Sequence, residues 1–205
     1  MAGRVALALI TLIGLVLLYN GRHPHAAPPP QPAAAQSAPG VHHAATHPGM
    51  PHATPIQVHI PSIHVDAPLT GLSLDAEHHL APPPEADANL AGWFRDGTPP
   101  GTDGTAIIAG HVDNDHGPAV FYNLGALKNG NRIEVDRSDG QTAVFTIDTV
   151  EAFDADDFPS QKIYGPSPHA ELRVITCGAG FDTKAHRYRG NVVAFAHLTA
   201  TRATH

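Results

Sequence analysis

The chain has a single cysteine, Cys177, so no disulfide can form within it. An odd thiol in an exported protein points to intermolecular pairing or to a reactive nucleophile. The plainer alternative is a buried cysteine that packs as a small hydrophobe. A basic run is also missing. The 12 Lys and Arg residues are scattered among 19 Asp and Glu, and the formal charge is -7. Binding to nucleic acid rests on a basic footprint that displaces counterions, so no nucleic-acid partner is expected. Long hydrophobic runs are absent as well, apart from one at the N-terminus.

That exception is Val5 to Tyr19, VALALITLIGLVLLY. As a helix it would span about 23 Å, short of the ~30 Å hydrocarbon core, and Ala2, Gly3 and a snorkelling Arg4 bring it nearer a spanning length. A signal-peptide core is the alternative, but no small-x-small cleavage site follows at once: Pro24 and His25 stand where it would fall. Residues 1–20 are therefore expected to be a retained anchor with its N-terminus inside, which places the rest of the chain outside the cytoplasm. Residues 21–55 are rich in Pro, Ala and His and lack hydrophobic periodicity, so they are expected to form a disordered, extended spacer. The spacer's histidines show no fixed ligand spacing, and a solvated stalk is the better reading.

What remains, residues 56–198 with a tail at 199–205, is punctuated as an all-β domain. IQVHI and Ile63 to Val65 alternate around Pro61, and Leu69 to Leu74, Asn89 to Phe94 and Thr105 to Gly110 follow as strands. Pro118 with AVFYNL predicts a short helical turn. RIEVDR and TAVFTIDTV flank Ser138-Asp139-Gly140, a hairpin by turn chemistry. Asp154 is expected to cap a short helix through Phe158. ELRVIT and NVVAFAH supply the last two strands. Seven or eight short strands with little helix indicate a closed barrel or a sandwich.

Three reactive residues share an address. His111 follows TAIIAG, Cys177 follows ELRVIT and opens a Gly-rich loop, and Arg189 precedes the final strand. Strand ends facing loops are where a rigid scaffold presents chemistry. A thiolate attacks, a histidine moves protons to and from an amine, and an arginine stabilises an oxyanion. Each has a plainer role too: a packed thiol, a loop histidine, a surface charge. Arg187 has the same strand parity as Arg189, so the arginine is not unique, although Arg189 lies closer to the well-marked strand. Asp113-Asn114-Asp115 offers oxygen ligands for calcium, but without further ligands it reads as a polar turn, and no metal or cofactor is expected.

The blocks TAIIAGHVDN, GPAVFYNLGALKNGNRIEV, LRVITCGAGFD and YRGNVVAFA, in this order, resemble actinobacterial class F sortases from about Ile56 to His197. The resemblance implies an eight-stranded β-barrel whose Cys177 attacks the carbonyl of an LPxTG-like sorting signal. It implies His111 as acid and base, and the arginine of Tyr188-Arg189 as substrate binder and oxyanion donor. The acyl group would pass to an amine acceptor of the cell envelope, or to water, and the enzyme would be a monomer. Two positions depart from the pattern: Ala179 stands where a second glycine is usual, and Gly190 where an acid is usual. Competing readings are an L,D-transpeptidase, whose Ser-x-Gly-Cys-Arg-like block does not resemble Ile175-Thr176-Cys177-Gly178, and a non-catalytic binding barrel.

Overall fold

The computed structural model describes residues 27–32 and 47–204. The expected membrane segment and most of the expected spacer lie outside the described residues. Among the described residues no helix is long and apolar enough to cross a membrane.

Eight strands close into a barrel: β1 (Pro55–Ile60), β2 (Val65–Leu72), β3 (Ala91–Phe94), β4 (Gly104–Gly110), β7 (Arg132–Arg137), β8 (Gln141–Asp154), β9 (Ala170–Asp182) and β10 (Arg187–Ala203). Around the barrel the order is β1-β2-β3-β4-β9-β10-β8-β7. Two short strands, β5 (Asp113–Asn114) and β6 (Gly117–Pro118), form a separate antiparallel pair. The expected all-β architecture is therefore present as a closed barrel, not a sandwich, and closure leaves no open sheet edge. The pairs β2–β3 and β4–β9 are parallel. Both bring together strands that are distant or crossed over in sequence.

Period-two alternation sorts the side chains. On β9, Leu172 and Val174 point into the main core with Ala106 and Ile108 of β4 and Val192 and Ala194 of β10. Phe121, Leu124 and Leu127, from the segment after β6, join that core. The opposite face of the same strands forms a second apolar cluster of Ile107, Ile175, Val193 and Phe195. A single helical turn, α1 (Ser160–Tyr164), covers it by burying Ile163 completely, a contact worth about 1.5–3 kcal/mol. Lys162 fixes α1 through Glu151, at 2.6 and 2.8 Å, with its ammonium over the rings of Phe153 and Phe195.

Several local expectations need correction. The Asp-Gly hairpin forms, with Gly140 at φ +73°, but β8 runs well past Val150 to Asp154. Asp154 makes no capping hydrogen bond, and only a 3-10 turn (Ala155–Asp157) follows it, because its backbone is still committed to the β8–β10 ladder. Pro118 sits in β6, and the helical turn comes later, at Leu124–Ala126. Around Pro61 the chain makes a 3-10 turn before β2 begins. Packed structure also reaches back beyond the expected start at Ile56. Met50 is buried in the core, its N–H bonds to Gly101 O at 2.7 Å, and the buried Arg137 guanidinium donates to Pro51 O and Pro100 O. At the other end β10 continues through Ala203, into the expected tail, by pairing with the start of β8.

Candidate active site

The parallel ladder between β4 and β9 pairs Gly104 with Ala170 and continues in unbroken register to Ala109 with Ile175. Beyond it, Thr176 Oγ1 donates to Gly110 O at 2.8 Å, a bond that links residues 66 apart. His111 and Cys177 are the next residues on the two chains, and they too are 66 apart. Their separation in sequence is thus the register of the ladder itself. Strand pairing brings His111 and Cys177 to the same end of the barrel on adjacent strands.

Cys177 does not end its strand, contrary to expectation. It lies inside β9 and pairs directly with Asn191 of β10. Alternation sends Thr176 into the barrel and Cys177 outward, where it is exposed. The surrounding protein still withholds water from a thiolate there, which pushes the thiol above its ordinary value, and the negative charge of Asp113 adds to the effect. The resting side chain at neutral pH is the thiol.

The Gly-rich stretch after Cys177 is an irregular continuation of the strand, not a loop. Ala179 and Gly180 adopt φ +57° and +86°, and the ladder shifts register between Tyr188 and Gly190, so that two residues of β9 face one of β10. That one residue is Arg189. Its Nε donates to the carbonyl of Ala179 at 3.1 Å, which orients the guanidinium along the bulge. Arg187 is the first residue of β10, opposite Asp182 at the tip of the ribbon. Both arginines are exposed, and Arg189 is the nearer to the Cys177–Asn191 pair.

The departure at Gly190 has a steric cause. A Cβ there would lie 1.9 Å from the carbonyl oxygen of Phe153, so β10 passes too close to β8 for any side chain. An open cleft of about 340 Å³ adjoins Arg189, lined also by Ala152, Asp154, Ala179, Gly180 and Gln31.

His111 is half-buried under the β2–β3 connection, and its Nε2 lies 2.8 Å from Pro83 O. A carbonyl only accepts, so Nε2 carries the hydrogen and Nδ1 is left as the nitrogen that gains and loses a proton. Asn114 Nδ2 donates to Glu85 O at 3.1 Å and ties the same connection to the β5–β6 hairpin. Asp113 is engaged elsewhere: the Tyr188 hydroxyl donates to its Oδ2 at 2.5 Å. Burial and the Asp113 carboxylate together hold that phenol protonated far above its usual range. Among the described residues no three His, Cys, Asp or Glu side chains cluster as metal ligands. Sequence reasoning weighed Asp113 only as a calcium ligand and missed its place beside the thiol. The period-two offset from His111 was the available signal.

His111 and Cys177 thus stand on adjoining strands at one end of a closed β-barrel, and Arg189 follows on the next strand, where it lines a cleft with Ala152, Asp154 and Gly180. The sequence profile of the sortase domain matches residues 58–199, and the chain belongs to the sortase family, the cysteine transpeptidases that act on sorting signals. The fold is similar to that of sortase A from Listeria monocytogenes, with a TM-score of 0.54 and 19% identity over 75% of this chain and 92% of that one. It is also similar to the SrtA sortase from Actinomyces oris (TM-score 0.57, 16% identity, 77% of this chain and 88% of that one). Sortase C1 from Streptococcus suis is similar as well (TM-score 0.52, 15% identity, 71% and 73%). No curated protein is significantly similar in sequence. With the family shown, the L,D-transpeptidase reading falls away.

Proposed function

We propose that this sortase is a membrane-anchored enzyme of the class F type that cleaves an LPxTG-like signal outside the cytoplasm, with Cys177, His111 and Arg189 as its reacting groups. The observation that supports the pairing of His111 with Cys177 is the shared 66-residue register, which sets the two on adjacent strands, while Arg189 rests on the sequence blocks and on its place in β10 two residues from the Cys177–Asn191 pair. The class rests on the four sequence blocks, and the anchor on the apolar run Val5 to Tyr19.

In this reading the Cys177 thiol gives its proton to His111 Nδ1, and Sγ attacks the scissile carbonyl carbon. Arg189 stabilises the oxyanion that forms, ordinarily a large catalytic contribution. The C–N bond then breaks, the departing amine takes a proton from His111 Nδ1, and a thioester remains on Cys177. An envelope amine attacks that thioester and gives its proton back to His111. The new amide leaves, and the thiol is restored. Water in place of the amine gives hydrolysis. Because the resting thiol is protonated, turnover depends on substrate arriving in a site where the thiolate is a minor species.

The test is stoichiometric labelling of Cys177 by a peptidyl electrophile carrying an LPxTG-like sequence. Labelling should be lost in His111→Ala, and turnover of the matching peptide should vanish in Cys177→Ala. If Cys177→Ala still turns the peptide over, the assignment of the nucleophile is wrong.

A further inference from the structure

The β5–β6 hairpin lies outside the barrel and pairs Asp113 with Pro118 and Asn114 with Gly117, and two backbone bonds, Ala119 N–H to Val112 O and Phe121 N–H to His111 O, both 3.0 Å, carry it back to His111. A ribbon this short does not hold itself in water. Yet it is the direct continuation of His111, so its position governs where the imidazole sits. Its contact with β10 is the hydrogen bond from the Tyr188 hydroxyl to Asp113. The Tyr188 ring is itself braced by Phe181, edge-on at a centroid distance of 5.2 Å. Asp113 follows His111 by two residues, and Tyr188 immediately precedes Arg189.

We infer that Asp113 and Tyr188 are positioning residues for the transpeptidation: their hydrogen bond clasps the His111 arm to the Arg189 strand and stations a carboxylate beside Cys177. The proposal rests on Cys177 as the nucleophile. The bond closes a ring through the site, from Cys177 across β9 to Asn191, along β10 to Tyr188, across to Asp113, and back to His111. Thr176 with Gly110 closes it at the base. With the clasp open, the His111 side chain keeps Pro83 O and its arm keeps the Asn114 bond to Glu85 O and the backbone bonds from Phe121 N–H to His111 O and Ala119 N–H to Val112 O, none of which reaches β9 or β10.

The clasp has an electrostatic side. The titratable groups facing the thiol are Asp113 from β5 and Tyr188 from β10, with Tyr122 behind Tyr188 and with His111 and Arg189 at the same barrel end. Tyr188 stays neutral, so Asp113 supplies the negative charge that disfavours a thiolate. Asp113 therefore acts in two opposed ways. It aligns the histidine, and it suppresses the nucleophile in the absence of substrate.

Two variants of the full chain separate these effects, read by the pH profile of Cys177 alkylation with iodoacetamide and by kcat and KM for an LPxTG-containing peptide. Asp113→Asn should move the alkylation profile to lower pH and still lower kcat by about 10-fold or more, because misalignment on the scale of an ångström costs on the order of 10²-fold. Tyr188→Phe keeps the carboxylate, so its alkylation profile should stay above that of Asp113→Asn, while kcat falls and KM stays within about two-fold. A purely structural role would move neither the alkylation profile nor the split between kcat and KM. The inference is overturned if both variants keep kcat within about two-fold of the parent, or if Asp113→Asn leaves the alkylation profile unmoved. Should Tyr188→Phe fail to fold, the near-isosteric Asp113→Asn decides alone. Failure of the nucleophile assignment is separately visible as turnover retained in Cys177→Ala.

Discussion

Ala179 holds a left-handed backbone conformation, φ +57°, in which a Cβ is crowded by its own carbonyl at a cost of about 1–2 kcal/mol. The same residue offers its carbonyl to Arg189. Glycine would keep the carbonyl and lose the strain, so Ala179→Gly should raise Tm by roughly 2–4 °C if about 1 kcal/mol is recovered, readable by calorimetry. An unchanged or lower Tm would mean that the bulge is not strained. Gly190 is the converse case, because any side chain there meets the backbone of Phe153. For the arginines, Arg189→Ala should lower kcat by about 10²-fold, as loss of an oxyanion donor does, and Arg187→Ala should change it little. Lysine at 189 should restore only part of the loss, since it lacks the planar fork. The sequence left this choice open because parity treats 187 and 189 alike. It is the bulge, set by backbone torsions at Ala179 and Gly180, that distinguishes them. The strands that carry His111 and Cys177 to one end of the barrel were legible because each residue follows a short apolar run bounded by glycine.

At the scale of elements, the strands were legible wherever apolar alternation was clean, as in RIEVDR and NVVAFAH. Their ends were not. β9 and β10 extend as a twisted ribbon past Gly178 to Gly180, residues whose composition reads as a loop but which take up the irregular torsions of a bulge. The N-terminal strap was invisible for another reason, since its apolar anchor in the core is the lone Met50 within a Pro- and His-rich stretch. The side chain of Arg137 is fully buried and clasps that strap at Pro51 while pairing with Asp139 at 3.1 Å. A chain beginning at Thr54 should therefore be less stable than one beginning at His47, by about 3–6 kcal/mol. That sum combines a buried Met, about 1.5–3 kcal/mol, with a charge-assisted hydrogen bond left unmade. Urea denaturation of the two chains reads the difference directly, and equal midpoints would show that the strap contributes nothing.

The whole barrel should also respond to acid in a definite way. Burial alone would raise Asp136, but hydrogen bonds from Thr142 and His59, with the charges of His59 and Arg202, outweigh it and leave the carboxyl below its ordinary value of 3.8. These contacts tie β7 to β1, β8 and β10 across the barrel seam. A folded-state value below the unfolded one favours the folded chain above pH 3.8, and the benefit is lost as pH falls through the depressed value. Unfolding free energy should therefore drop as pH falls below about 4, and Asp136→Asn should flatten that drop. The variant would be less stable at neutral pH, and its difference from the parent should shrink in acid. A difference that stays constant with pH would remove Asp136 from the account.

The parallel ladder between β4 and β9 has a consequence in time. Its partners are 66 residues apart, with β5 to β8 and α1 threaded between them, so it can zip only after a long loop has closed. Pairings this remote form late relative to local hairpins such as β7–β8. His111 and Cys177 come to one end of the barrel by the closing of that ladder and not before it. A chain emerging unfolded thus carries an isolated, ordinary cysteine and acquires its chemistry as barrel closure nears completion, which makes catalytic competence a clock for folding.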